Sequence, residues 1–195
     1  MKHSELTRSA EVHILFNGYA DAHVASTVSF VRDGDVRVII DPGMVPNPAA
    51  ILAPLISLDE TATSITDVVF SHHHPDHTLN AALFPNARFH DCWAIYKDDI
   101  WQDRPAEGFQ LSPAIQLIET PGHTPQDITT LVGTRDGVVA FTHLWWSADG
   151  PEEDPLATDL AQLHANRRRV LAIRQLRLIV PGHGAPFTPD EKTPS

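Results

Sequence analysis

At 195 residues, 42% hydrophobic and 20% charged, the chain is long enough to bury a full core as a single domain over residues 1–195, and its composition is that of a globular protein. A formal net charge of −11 argues against a nucleic-acid partner, whose phosphates call for clustered Lys and Arg. No apolar run reaches the roughly 18 residues a membrane span needs, residues 1–16 lack the features of a secretory signal, and one cysteine, Cys92, allows no intrachain disulfide, so a cytoplasmic setting is expected.

In chain order, residues 12–16 and 24–31 read as strands rich in β-branched residues. Asp33-Gly34-Asp35 signals a turn, and residues 36–40 complete a hairpin that Asp41-Pro42-Gly43 ends. Residues 48–58 have helical spacing, with Asn47 as N-cap and Pro48 at the first helical position. A short apolar strand at 67–70 ends at Ser71, and residues 71–77 then lie on a loop before a short helix near 79–83. Strands follow at 87–90 and 115–119, and a second hairpin joins 128–132 to 137–142. Residues 156–175 form the longest helix candidate, and its Arg167-Arg168-Arg169 run, with Arg174 and Arg177, reads as a solvated face. A last strand at 178–180 ends at Pro181-Gly182-His183-Gly184.

Polar clusters at 71–77, 121–123, 143 and 181–184 each follow a strand end. Strand ends that converge at one sheet edge can gather ligands from distant parts of a chain. Residues 72–77 read H-x-H-x-D-H. Imidazole suits zinc and other borderline divalent ions, and His72 and His74 on an extended segment can chelate one of them. Pro75 redirects the backbone, so Asp76 and His77 can face a second ion about 3.5–4 Å away. Thr120-Pro121-Gly122-His123 and Val180-Pro181-Gly182-His183 share one grammar: Pro ends a strand, Gly turns the backbone and His is presented at the tip.

From about residue 24 to residue 187 the chain resembles the metallo-β-lactamase-fold hydrolases. Three segments, LFPNARF, TPGHTPQD and VPGHGAPF, are similar to the metallo-β-lactamase domain-containing protein 1 group. The resemblance implies an αββα sandwich of two mixed sheets flanked by helices, with metals at one sheet edge. It implies a first metal held by His72, His74 and His123, and a second held by Asp76, His77 and His183. Two zinc ions are expected, with iron, manganese or nickel as alternatives. The family's bridging Asp is replaced here by His143. A neutral imidazole has one lone pair and cannot bridge as a carboxylate does, so His143 is expected as a terminal ligand of the second metal.

A bound divalent ion can bring the pKa of its water from about 15.7 to about 7, giving a metal-bound hydroxide for attack on a carbonyl or phosphoryl group. Asp76 is the candidate to orient that nucleophile and carry its proton. Asp41 resembles the family's supporting Asp, which holds a metal-bound histidine by its other nitrogen, although an ordinary turn role suits it equally. His73 is expected to face solvent. His3, His13, His23, His90 and His164 read as structural or surface residues, and Cys92 as a buried small hydrophobe. Residues 19–23, Trp145-Trp146 and the acidic loop 149–154 are candidates to shape a pocket. The expected function is hydrolysis of an ester, thioester, lactone or related bond in a small molecule. The alternatives are a nuclease or phosphodiesterase, a single-iron redox role on the same fold, and a metal-binding module of low activity. The sequence does not set the oligomeric state.

Overall fold

The computed structural model describes residues 6–195. Its first strands are β1 (Glu11–Phe16), the two-rung hairpin β2 (Tyr19–Ala20) and β3 (Val24–Ala25), and the hairpin β4 (Val28–Asp33) and β5 (Val36–Ile40). Gly34 turns the β4–β5 hairpin at φ +59°, a backbone angle that costs a residue without Cβ nothing. There follow α1 (Ala49–Ile56), β6 (Asp67–Val69), the single turn α2 (Pro75–Thr78), β7 (Arg88–His90), β8 (Ala94–Lys97) and β9 (Ile100–Asp103). The second half holds β10 (Gln110–Ser112), β11 (Ile115–Glu119), β12 (Ile128–Thr134), β13 (Gly137–Thr142), α3 (Leu160–Leu171) and β14 (Leu176–Pro181).

Two mixed sheets result. One runs β1-β4-β5-β6-β7-β8-β9, with β5–β6–β7 parallel. The other runs β10-β11-β12-β13-β14, with β13–β14 parallel. Alternation along each strand sends side chains to opposite faces and so fixes the layers. Val38 and Ile40 of β5 point inward, meeting Leu117, Val132, Phe141 and Val180 of the second sheet. Ile39 points outward to Ile51 and Leu55 of α1. On the far side, Ile118, Leu131 and Ile179 meet Leu163 and Val170 of α3. Each such fully buried aliphatic side chain contributes about 1.5–3 kcal/mol. The architecture is the expected αββα sandwich.

Some elements differ from the sequence reading. The strand expected at 24–31 breaks at Ser26-Thr27, because Thr27 bonds elsewhere: its N–H donates to Gly182 O at 2.8 Å and its hydroxyl accepts from Gly184 N at 2.9 Å. Asp76 and His77 lie within α2, with Pro75 at its first turn, and not on a loop. The helix expected at 79–83 is a 3₁₀ turn at Ala81–Leu83. The last helix is shorter than expected, since the Asp159 side chain caps it by accepting Gln162 N at 3.0 Å. Strands β8, β9 and β10 were not anticipated. All four residues of β9 are exposed at the sheet edge, so no burial alternation marks it.

Candidate metal centre

The ligand candidates converge at strand ends, as the sequence pattern suggested. His72 follows β6, His123 follows β11, His143 follows β13 and His183 follows β14. His72 Nε2 lies 3.0 Å from His74 Nδ1, which lies 3.2 Å from His123 Nε2. Ligands about 2.0–2.1 Å from one tetrahedral ion sit at nearly that mutual spacing. The opposite ring edges are held. His123 Nδ1 donates to Asp154 Oδ2 at 2.7 Å, so Nε2 keeps a lone pair aimed at the common point. His72 Nδ1 meets Ser71 Oγ at 3.0 Å.

A second group adjoins the first. His77 Nδ1 bonds Asp41 Oδ2 at 2.9 Å, and its buried Nε2 makes no hydrogen bond, lying 3.4 Å from Asp76 Oδ2. His183 Nδ1 donates to Ala25 O at 3.0 Å, leaving its Nε2 bare at 3.6 Å from Asp76 Oδ2 and 3.0 Å from His143 Nε2. His143 is buried, and its Nδ1 has no hydrogen-bond partner among the described residues. Orphaned buried nitrogens cost about 1–3 kcal/mol each unless something satisfies them. His72, His123 and His143, and likewise His77, His143 and His183, bring ligand atoms within 4.8 Å of one another, so His143 is common to both groups. These donors fit a divalent ion in number, type and orientation.

For His72, His74, His143 and His183 the electrostatics agree with that fit. Burial, reinforced by neighbouring imidazoles, holds His72 and His143 well below the usual histidine range, as neutral donors. Burial also lowers His74 and His183. Burial would depress His77 too, but Asp41 and Asp76 outweigh it and raise its pKa to about 9. Burial would raise Asp76, but the adjoining His77 and His183 imidazoles hold it at about 2. Asp41 therefore serves both readings. It takes φ 53° after β5, accepts Ser71 N through Oδ1 at 2.7 Å, and holds His77 through Oδ2.

A cavity of about 340 Å³ opens over this cluster. Ala20, Asp21, Val24, Trp146 and Leu156 line it above His74, Asp76, His123, His143 and His183. Among the described residues no Lys or Arg lines it. The tandem tryptophans divide their roles, Trp145 lying buried against Phe187 and Trp146 facing the cavity.

Two expectations are corrected. His73 does not simply face solvent: it is half-buried, with Nε2 3.0 Å from Asp91 Oδ2. Arg167 is not on a solvated face but fully buried, while Arg168 is exposed. Cys92 is buried as expected, and burial pushes its thiol up to about 12. Among the described residues His13, His23, His90 and His164 stand outside both ligand groups, and His3 lies outside the described residues. Sequence reading missed Asp154 as the partner of His123. The only trace was the acidic run before Pro155.

The sequence matches the Metallo-beta-lactamase superfamily over residues 23–91. A Xenopus laevis protein named Metallo-beta-lactamase domain-containing protein 1 is 28% identical over 194 residues, covering 90% of this chain and 80% of its own. The Homo sapiens protein of that name is 32% identical, over 77% of this chain and 59% of its own, so this chain spans less than two thirds of the human relative. Among solved structures, a metallo-beta-lactamase-type protein from Thermotoga maritima superposes with a TM-score of 0.74 at 23% identity, over 93% of this chain and 100% of that one. AiiA from B. thuringiensis, solved with N-decanoyl-L-homoserine at its active site, gives 0.66 at 14% identity over 92% and 94%. A protein in a di-iron-bound form gives 0.66 at 21% identity over 89% and 94%. The fold is that of these metallo-beta-lactamase-type structures, and the sequence is similar to the metallo-beta-lactamase superfamily over residues 23–91 and to the metallo-beta-lactamase domain-containing protein 1 group over most of its length.

Proposed function

We propose that the protein is a metal-dependent hydrolase acting on an ester, thioester, lactone or related bond of a small substrate. The observation that carries this reading is the meeting of two groups of lone-pair-bearing imidazoles at the floor of a cavity without a cationic lining. His72, His74 and His123 would hold the first ion, and Asp76, His77 and His183 the second, with His143 as a further ligand. Zinc is the first choice, and iron, manganese and nickel suit the same donors; one fold relative is a di-iron form. Such an ion supplies Lewis acidity and makes water acidic enough to yield a nucleophile near neutral pH.

The chain's own groups do the rest. Asp76, ionised at neutral pH, accepts the water proton at Oδ2 and orients the attack. Asp154, Asp41 and the Ala25 carbonyl fix His123, His77 and His183 by their second nitrogens, which sets ring orientation and tautomer. Trp146, Leu156 and Val24 offer an apolar wall, and Asp21 an acidic rim. That lining suits an uncharged or apolar substrate better than a phosphodiester, and the chain charge of −11 supports the same choice. A cytoplasmic setting without nucleic-acid or membrane partners belongs to this reading; among the described residues no helix is long and apolar enough to cross a membrane.

The test is elemental analysis of protein purified without added metal, followed by a panel of ester, thioester, lactone and phosphodiester substrates. Metal with ester or lactone turnover is expected. Phosphodiester turnover alone would establish the nuclease reading instead. Metal without turnover would favour a binding module, which the imidazole in place of a bridging carboxylate makes the second reading.

A further inference from the structure

Arg167, in the middle of α3, is fully buried, yet its hydrogen bonds go to three main-chain carbonyls and not to a carboxylate. Nε donates to Leu144 O at 2.8 Å, Nη2 to Pro151 O at 3.0 Å, and Nη1 to Glu152 O. A planar fork of donors suits this task, since it reaches acceptors on two segments at once with its charge delocalised. Those segments are the ones that carry the site. Leu144 directly follows His143. Pro151 and Glu152 lead into Asp154, whose Oδ2 accepts both His123 Nδ1 at 2.7 Å and Trp146 Nε1 at 3.0 Å. One buried guanidinium therefore ties the start and the end of the segment that bears both supports.

We propose that Arg167 is a positioning residue for the metal centre. It locks the 149–154 loop so that Asp154 fixes the ring and tautomer of His123, and it holds the main chain beside His143. The neighbouring helix residue acts to the same end: Asn166 Nδ2 donates to Pro121 O at 2.7 Å, bracing the loop that presents His123. Lysine could not replace Arg167, because a single ammonium on a flexible stem cannot span three carbonyls of fixed geometry. The consequence for metal binding rests on the proposed function; the consequence for the His123 tautomer does not.

The experiment compares wild type, Arg167→Met, Arg167→Lys and Val170→Ala. Val170 is buried on the same helix in the cluster that α3 forms with the second sheet, so its truncation destabilises α3 while leaving all three bonds from the guanidinium to the carbonyls in place. Two-bond ¹H–¹⁵N correlation spectra of metal-free protein read the His123 tautomer, and competition with a chromophoric chelator reads zinc affinity. Wild type and Val170→Ala are expected to show His123 protonated at Nδ1. Arg167→Met is expected to show a tautomer mixture and zinc affinity about ten- to hundredfold weaker, with Arg167→Lys between. If Arg167→Met does not fold, Arg167→Lys decides by the same two readings, as does non-additivity between it and Asp154→Asn. A wild-type tautomer in the Arg167 variants, or an equal loss in Val170→Ala, would overturn the proposal. Wild type that binds no zinc would overturn the metal reading alone, and the tautomer would still decide the role of Arg167.

Discussion

His143 Nε2 stands 3.0 Å from His183 Nε2, and the two rings meet almost at right angles. His183 gives its Nδ1 proton to the Ala25 carbonyl, so its Nε2 offers a lone pair. His143 must then either donate a proton across that gap, which leaves its buried Nδ1 bare, or turn its own lone pair toward a cation shared with His183. Only the second arrangement also satisfies the neighbouring His77 Nε2.

From this relationship follows a prediction for His143 itself. Replacing it with Asp supplies two acceptor oxygens and a negative charge where an imidazole gives one lone pair. Zinc titration of His143→Asp should show the weaker site tightened about tenfold or more, and His143→Ala should show it loosened by a similar factor. Equal affinities in all three proteins would remove His143 from the ligand set.

The first triad makes a stability prediction. An ion at about a hundred times its dissociation constant stabilises the folded state by about 2.7 kcal/mol. At this chain length each kcal/mol moves Tm by about 2–4 °C. Adding zinc should therefore raise the melting temperature of the wild type by about 5 °C or more. The double variant His72→Ala/His74→Ala should lose the part of that shift due to the first site and bind one ion fewer by elemental analysis. An unchanged shift and metal content would show that the triad is not a site.

Gly182 provides a prediction independent of any ligand. A Cβ there would lie 2.3 Å from His143 Cδ2 and 2.8 Å from its Nε2, so the buried ring would have to shift. Gly182→Ala should cost about 1–3 kcal/mol by urea denaturation of metal-free protein, the usual range for overpacking. A loss below a few tenths would mean the ring can swing aside.

Acid sensitivity should trace in part to His90, on β7 of the first sheet and outside both ligand groups. Burial lowers its pKa below the model-compound 6.5, although Asp67, accepting from Nε2 at 2.8 Å, opposes the shift. Since the folded pKa is depressed, the unfolded chain takes up the proton first as pH falls. This group's contribution is present above 6.5 and is lost as pH drops from there toward the folded value. Asp67 is also depressed: burial opposes that shift, and the His90 and Thr66 hydrogen bonds produce it. Its contribution is lost only below 3.8. Chemical denaturation of His90→Gln should show a shallower fall of stability below pH 6.5, by at most about 1.4 kcal/mol per pH unit. Parallel curves for variant and wild type would exclude His90 as a source.

The sequence carried the layer order and the converging histidines because both are written in local pattern. Strands β5 and β11 were delimited to the residue by β-branched runs between turn signals, and H-x-H-x-D-H announced itself by spacing. What stayed hidden was set by tertiary context. Asp154 is one of several acids in its loop until the fold brings it to His123, 31 positions away. Arg167 looked solvated beside two other arginines, and only the carbonyls of a loop folded over α3 make burial tolerable. Strand β9, exposed along its whole length, has no buried face to imprint on the sequence.

Thr27 joins the two halves of the molecule, and that join has a kinetic meaning. Its N–H and hydroxyl bond Gly182 and Gly184, and the Ala25 carbonyl takes His183, contacts that span about 155–158 positions of chain. Contacts of such long range form only after a large loss of chain freedom, and they slow folding. The first sheet can collapse with His72 and His77 in place, but the pocket that unites them with His183 waits for the final strand. Assembly of the centre is thus a late folding event, and refolding intermediates should hold His72, His74, Asp76 and His77 in rough register while His183 is still free.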